Sequence, residues 1–328
     1  MIIQACRSTH QETLCHSACQ LSHAFLILFP VNSPPPTGDN LDSLSLTEEE
    51  ATNLATELKA LLCSGQSPQS DKKAIERMVA GLGDPRGLLR LTFAESLGTL
   101  GVEAVPALCH AMCTHTNVTV RRAAAKTLTL ISSETALPSL LQALVNDDDP
   151  VVQGSAVGAM ASIGSSAVAG LLQIIVDPSS TPMQTGLASW GLSFVGARAP
   201  DALKAAATDP NSLIRTAAIA ALGDQIQSLD DTEARELVLA ALSDVDDEVR
   251  AEAATLLGKL HEGSWLLPNL QPLLFDTSSQ VRKNTALSMM KLGDIQALKH
   301  LNSALVAESD VDVSNVISLA ISQLQKNC

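Results

Sequence analysis

Aromatic rings are scarce in this chain. Five Phe, two Trp and no Tyr make up 2% of its 328 residues, although 46% are hydrophobic. A core of Ala, Leu and Val suits closely packed helices and leaves little of the aromatic material that sandwiches and barrels use. The predicted fold is therefore all-α. The same shortage removes the stacking platforms that single-stranded nucleic acid needs. Positive charge is the second deficit: 21 Lys and Arg stand against 35 Asp and Glu, a formal net charge of −14. Coulomb repulsion from phosphate backbones argues against nucleic acid as a partner.

Long apolar runs are missing near the start. The run AFLILFPV at 24–31 is far shorter than the ~20 residues a bilayer span requires. One early positive charge, Arg7, precedes it and the proline spacer NSPPPTGDN follows, which is poor signal-peptide grammar. Residues 1–45 are expected to be a disordered leader or an over-extended start, with a targeting segment as the alternative. The seven Cys are odd in number, and Cys6, Cys15 and Cys19 fall in the first twenty residues. That is no disulfide framework, and a reducing, cytoplasmic location is expected. A Gly-rich phosphate loop, a nucleophile elbow and a paired metal-ligand motif are all lacking. The acidic clusters NDDDP and DVDDE lack the Gly and terminal Glu of a calcium loop and read as helix-start turns.

What the chain does have is repetition. DDEVRAEAATLLGKLH at 246–261, SSQVRKNTALSMMKLG at 278–293 and NVTVRRAAAKTLTLIS at 117–132 share one layout. In the first, Val249, Ala253, Leu256, Leu257 and Leu260 form a single helical stripe. Anchoring each unit on the apolar residue before its first long polar residue selects Leu89, Val120, Val152, Met183, Ile214, Val249, Val281 and Val313. They recur every 31–32 residues, with one interval of 35. Each unit predicts an anchored helix, closed by a positive-φ Gly at 101, 164, 196 and 293, then a second apolar helix such as ALPSLLQAL or ARELVLAAL. A two-helix unit cannot bury its own apolar face, so stacked copies share a continuous core. The expected organisation is a helical cap over 46–83, with Thr47 or Ser45 capping its first helix, and a repeat array over 84–328.

The units DPVVQGSAVGAMASIG, DPNSLIRTAAIAALGD and DDEVRAEAATLLGKLH, each followed by a second helix of the A-L-P-x-L-x-x-A-L kind, resemble short HEAT repeats of the subtype named after the phycobilisome lyases. The resemblance implies a right-handed α-α superhelix, a HEAT-like solenoid of about eight short repeats. It also implies a protein that attaches or detaches a linear tetrapyrrole (phycobilin) on phycobiliproteins, or assists phycobilisome turnover. The implied partners are a phycobiliprotein subunit or phycobilisome and a second HEAT-repeat lyase subunit. If the protein is an enzyme, it is a bilin lyase. A non-catalytic adaptor and a generic protein-assembly scaffold stay open.

Several residues are candidates for chemistry. The polar position after each anchor reads Arg90, Arg121, Gln153, Gln184, Arg215, Arg250, Arg282 and Ser314. An Arg ladder of this kind is expected to bond neighbouring Asp-bearing turns, and its break at Gln153 and Gln184 predicts different stacking or a groove. Aligned on Met183, Trp190 takes the position of Leu256 and is expected in the core, whereas Trp265 is either a staple or the flank of a pocket. If the second helices line the concave face, Lys204, Glu236, Asn269 and His300 are exposed there. Arg215, Arg250 or Lys204 could then meet bilin propionates, as the resemblance implies. Cys109 and Cys113 share a helix face with His110 turned away, which favours small core residues over a metal site.

Overall fold

The computed structural model describes residues 45–260 and 265–326, and among them every regular element is helical. The expected leader lies outside the described residues, apart from Ser45. The chain opens with α1 (Glu48–Cys63) and α2 (Lys72–Gly81). Thr47 starts α1 through a reciprocal cap: its Oγ1 accepts from the Glu50 N–H at 3.2 Å, and the Glu50 carboxylate accepts from the Thr47 N–H at 2.8 Å. Glu48 and Glu49 place negative charge at the positive end of the helix dipole.

Thereafter two kinds of helix alternate. α3 (Gly87–Leu100) is followed by α4 (Val105–Thr114), α5 (Val118–Ile131) by α6 (Leu137–Asn146), α7 (Pro150–Ile163) by α8 (Ser165–Val176) and α9 (Pro182–Val195) by α10 (Pro200–Ala206), and each of these second helices packs chiefly against the first-row helix after it. Next come α11 (Ser212–Ala221), its continuation α12 (Gly223–Leu229), and α13 (Thr232–Ala241). α14 (Asp247–Leu257) is followed by α15 (Leu266–Leu270), α16 (Ser279–Leu292) by α17 (Ala297–Ala307), and α18 (Val311–Lys326) ends the array. The 35-residue interval has a local cause, since α12 prolongs α11 past a break at Leu222 and ends on Asp230 at φ +49°. The four glycines singled out by the periodicity all have positive φ. Gly164, at φ 88° and ψ −132°, shows why: that conformation is open only to a residue without Cβ.

The apolar stripes meet in one continuous core running from Ala51 to Leu324. Its first-row helices (α3, α5, α7, α9, α11, α14, α16, α18) each pack along the next, whereas successive second-row helices touch more sparsely, at α4–α6, at α8–α10 and between α17 and the turn that continues α15. Small residues permit the tight row. A Cβ on Gly258 of the α14 end would lie 2.5 Å from Ser288 Cβ in α16, and one on Gly191 in α9 would lie 2.6 Å from Val157 in α7. A stack with one closely spaced and one loosely spaced row bends toward the close row, so the first helices take the concave side. The expectation that second helices line it is corrected on this ground. Residues 87–114 are long and apolar enough by composition to cross a membrane, yet they fold as α3 and α4 joined by a turn at Gly101–Ala104, with their apolar faces in the shared core.

Candidate functional site

The starts of the first helices form an edge of charged turns. Arg250 donates through Nε and Nη2 to both Asp276 oxygens, each at 2.8 Å, and through Nη1 to the Asp244 carbonyl at 2.8 Å. Arg215 repeats this fork with Asp244 and the Asp209 carbonyl, Arg121 with Asp147 and the His115 carbonyl, and Arg282 with Glu308 and the Asp276 carbonyl. Each guanidinium thus ties its own turn to the next one, and each acceptor carboxylate also orders its turn, as Asp244 does by accepting from the Asp246 N–H. The Arg215, Arg250 and Arg282 partners hold Asp244, Asp276 and Glu308 below the usual carboxylate range. Arg215 and Arg250, expected as propionate partners, are occupied in holding the stack.

The second-row candidates do not converge on one site. Lys204 Nζ donates to Glu233 at 2.6 Å and to Asp231, the N-cap of α13, at 3.2 Å. Glu236 is exposed on α13, His300 is half-buried on α17, and Asn269 donates to the Trp265 carbonyl at 2.6 Å. Trp265 precedes α15 with the Arg235 guanidinium carbon 5.3 Å from its ring centroid, so the indole pins α13 to the next repeat.

Cys109 and Cys113 sit in α4 as core and core-edge residues. Cys113 Sγ lies 3.5 Å from the Ser139 carbonyl, at the wall of an open cavity of about 310 Å³ that Arg121, Asp147 and Asp148 also line. Burial pushes the Cys109 thiol up to about 11 and the Cys113 thiol up to about 12, so neither offers a thiolate at neutral pH.

The break in the ladder coincides with an uncharged region. Between Asp149 and Arg198 the one ionisable side chain is Asp177. Gln153 keeps the bond to its own turn, donating to the Asp147 carbonyl at 2.7 Å, but cannot fork onto the next carboxylate. Gln184 is buried, and its amide donates to the Val145 carbonyl at 2.9 Å. Its burial corrects the register of α9: Gln184 takes the inward position that Val152 and Val249 take elsewhere, while Met183 is 55% exposed. A shift of one residue turns a helix by about 100°. Gly191 therefore falls at the position of Leu256, and Trp190 points outward at 44% exposure instead of into the core. Phe194, one turn on and 59% exposed, sets its ring centroid 4.4 Å from that of Trp190. The sequence carried a signal for this pair, two aromatics four apart in a stretch almost free of charge, but the apolar anchor at Met183 hid it.

The family model for HEAT repeats matches residues 75–161, 105–191, 137–223, 168–258 and 234–322. The chain is 46% identical over 283 residues to the "Bilin biosynthesis protein MpeU" of Synechococcus sp. (strain WH8020), covering 86% of this chain and 95% of that protein. Among solved structures it is similar to YibA of E. coli, at 22% identity and a TM-score of 0.35, over 87% of this chain and 99% of that one. It is also similar to human deoxyhypusine hydroxylase in complex with glycerol, at 18% identity and a TM-score of 0.33, over 84% and 98%. With repeats matched from residue 75 to 322 and so close a relative along most of its length, the chain belongs to the HEAT-repeat family that includes the bilin biosynthesis protein MpeU.

Proposed function

We propose that this chain is a bilin-handling scaffold, one that holds an open-chain tetrapyrrole against a phycobiliprotein subunit while a cysteine of that subunit is joined to it. The observation that carries the reading is the 46% identity, spanning most of both chains, with a protein named for bilin biosynthesis. The chemistry of the two α4 thiols agrees with it. Cys109 and Cys113 stay protonated at neutral pH, which fits a sulfur nucleophile supplied by the partner subunit. The scaffold then acts by positioning, which converts a bimolecular addition into a reaction between held groups. A rigid array of forked turns is suited to that task.

The test is co-expression with apo-phycobiliprotein subunits and a bilin-producing pathway, followed by denaturing electrophoresis and zinc-enhanced fluorescence. Chromophore that stays on the subunit, and does so only when this chain is present, supports a lyase. Co-elution on a native column without covalent transfer makes the chain an adaptor. Neither transfer nor co-elution overturns the reading.

A further inference from the structure

We propose that the concave face across α5, α7 and α9 is the seat of the open-chain tetrapyrrole, with Trp190 and Phe194 stacked on the pyrrole plane and Lys126 paired with a propionate. This rests on the bilin reading above and locates it.

The corrected register brings the face together. Six residues after the inward anchor stand Lys126 on α5, Gly158 on α7 and Trp190 on α9; two residues after it stand Arg122, Gly154 and Gly186. Neighbouring helix axes lie about 8–10 Å apart, so Lys126 and Trp190 are rooted two such spacings apart, with a row of glycines between them. A Cβ at Gly158 or Gly186 would meet nothing within 4 Å, which leaves the helix surface bare. The floor is thus open, one wall is the exposed ring pair, and the other is basic.

Charge complementarity selects the occupant. In a chain of net charge −14, the helices α5, α7 and α9 together carry Arg121, Arg122 and Lys126 and no acidic residue. Arg121 and Arg122 pair with Asp147 and Asp149, while Lys126 is exposed and forms no ion pair among the described residues. Carboxylates bound the trough on either side, at Glu95 on α3 and Asp224 on α12. A ligand that is flat, conjugated and apolar along its body but carries carboxylates at one edge matches this arrangement. An open-chain tetrapyrrole with its two propionates has that form.

The experiment titrates the full chain with biliverdin, and separately with its uncharged dimethyl ester, reading tryptophan quenching and induced circular dichroism. The double variant Trp190→Ala, Phe194→Ala is expected to weaken binding of both by about tenfold or more. Gly158→Leu, which fills the bare floor at a half-buried position where a Cβ meets open space, is expected to do the same. Lys126→Gln is expected to cost about two- to fivefold for biliverdin and nothing for the ester. Far-ultraviolet circular dichroism identical to the parent shows that each variant folds.

If biliverdin binds and all three variants match the parent, the trough is overturned while the bilin reading stands. Should the parent bind no biliverdin, yet lose phycobiliprotein or its own second copy on Gly158→Leu, the trough is a protein interface and the proposal fails. Absence of biliverdin binding together with absence of chromophore transfer removes the bilin reading itself.

Discussion

The C-terminal repeats and the middle repeats solve the same stacking problem in two ways. From Arg215 to Glu308 each repeat is tied to the next by a half-buried guanidinium forked onto a carboxylate. From Pro150 to Val195 the fork is absent, and α7 and α9 are held by close approach, Gly191 lying against Val157 and Gln184 bonding back to α6. A guanidinium placed at the turn fixes the angle between repeats through geometry that only Arg supplies. Steric closeness fixes it without charge. The array thus gives up its electrostatic ties where its concave face is bare and aromatic.

Four substitutions test this contrast. Gly191→Leu has the largest expected effect, because its Cβ would stand 2.6 Å from Val157 Cγ1 and overpacking of this kind costs about 3 kcal/mol. Gly158→Leu on the neighbouring helix meets open space, so its stability should match or slightly exceed the parent's, since Leu forms helix better than Gly by about 0.8 kcal/mol. Urea midpoints measured on both decide it; equal losses at the two sites would mean that close approach is not what holds the middle together.

Arg250→Ala comes next, at about 2 kcal/mol, because it strips two charge-assisted bonds from Asp276 and one from the Asp244 carbonyl. Its pH dependence follows from the direction of the shift. Arg250 holds the Asp276 carboxyl below its ordinary value of 3.8 in the folded chain, so the contribution is complete above that pH and disappears as pH falls through the folded value. The gap in stability between parent and variant should therefore close in acid. A gap that stays constant from pH 7 to pH 3 would remove the ion pair as its cause.

The smallest effect is a gain. Gln153→Arg would supply the missing guanidinium beside its own turn, and Asp177, which already accepts from the Ser179 N–H as Asp244 does from Asp246, would be its partner. A stabilisation of about 1 kcal/mol is expected, read as a raised melting temperature. No gain would show that the spacing of α7 and α9 has departed from that of the forked repeats.

Much of this was legible in the sequence, for reasons that are local. The capping box at Thr47 and Glu50, the positive-φ glycines and the reach of each Arg to a turn carbonyl six residues back all depend on residues close together in the chain. The Arg ladder extends this reach by one repeat, and a regular period makes the next turn predictable. The illegible part begins where hydrophobicity was a poor guide to burial. At 183–184 the sequence offers Met followed by Gln, and apolarity selects Met183 as the inward residue. The fold buries Gln184 instead, because carbonyls at the end of α6 accept its amide. That one-residue turn carried Trp190 from the expected core to the surface.

That this chain is a stack of paired helices follows from its residues alone, because period, caps and turn carboxylates are written within single repeats. The low-charge middle follows from them too, as a matter of composition. Which row lies on the inside of the curve is settled by packing, since it depends on how closely neighbouring helices approach. Packing alone turned Trp190 and Phe194 outward over a glycine floor, because the rotation of α9 is set by bonds and contacts with helices one and two repeats away.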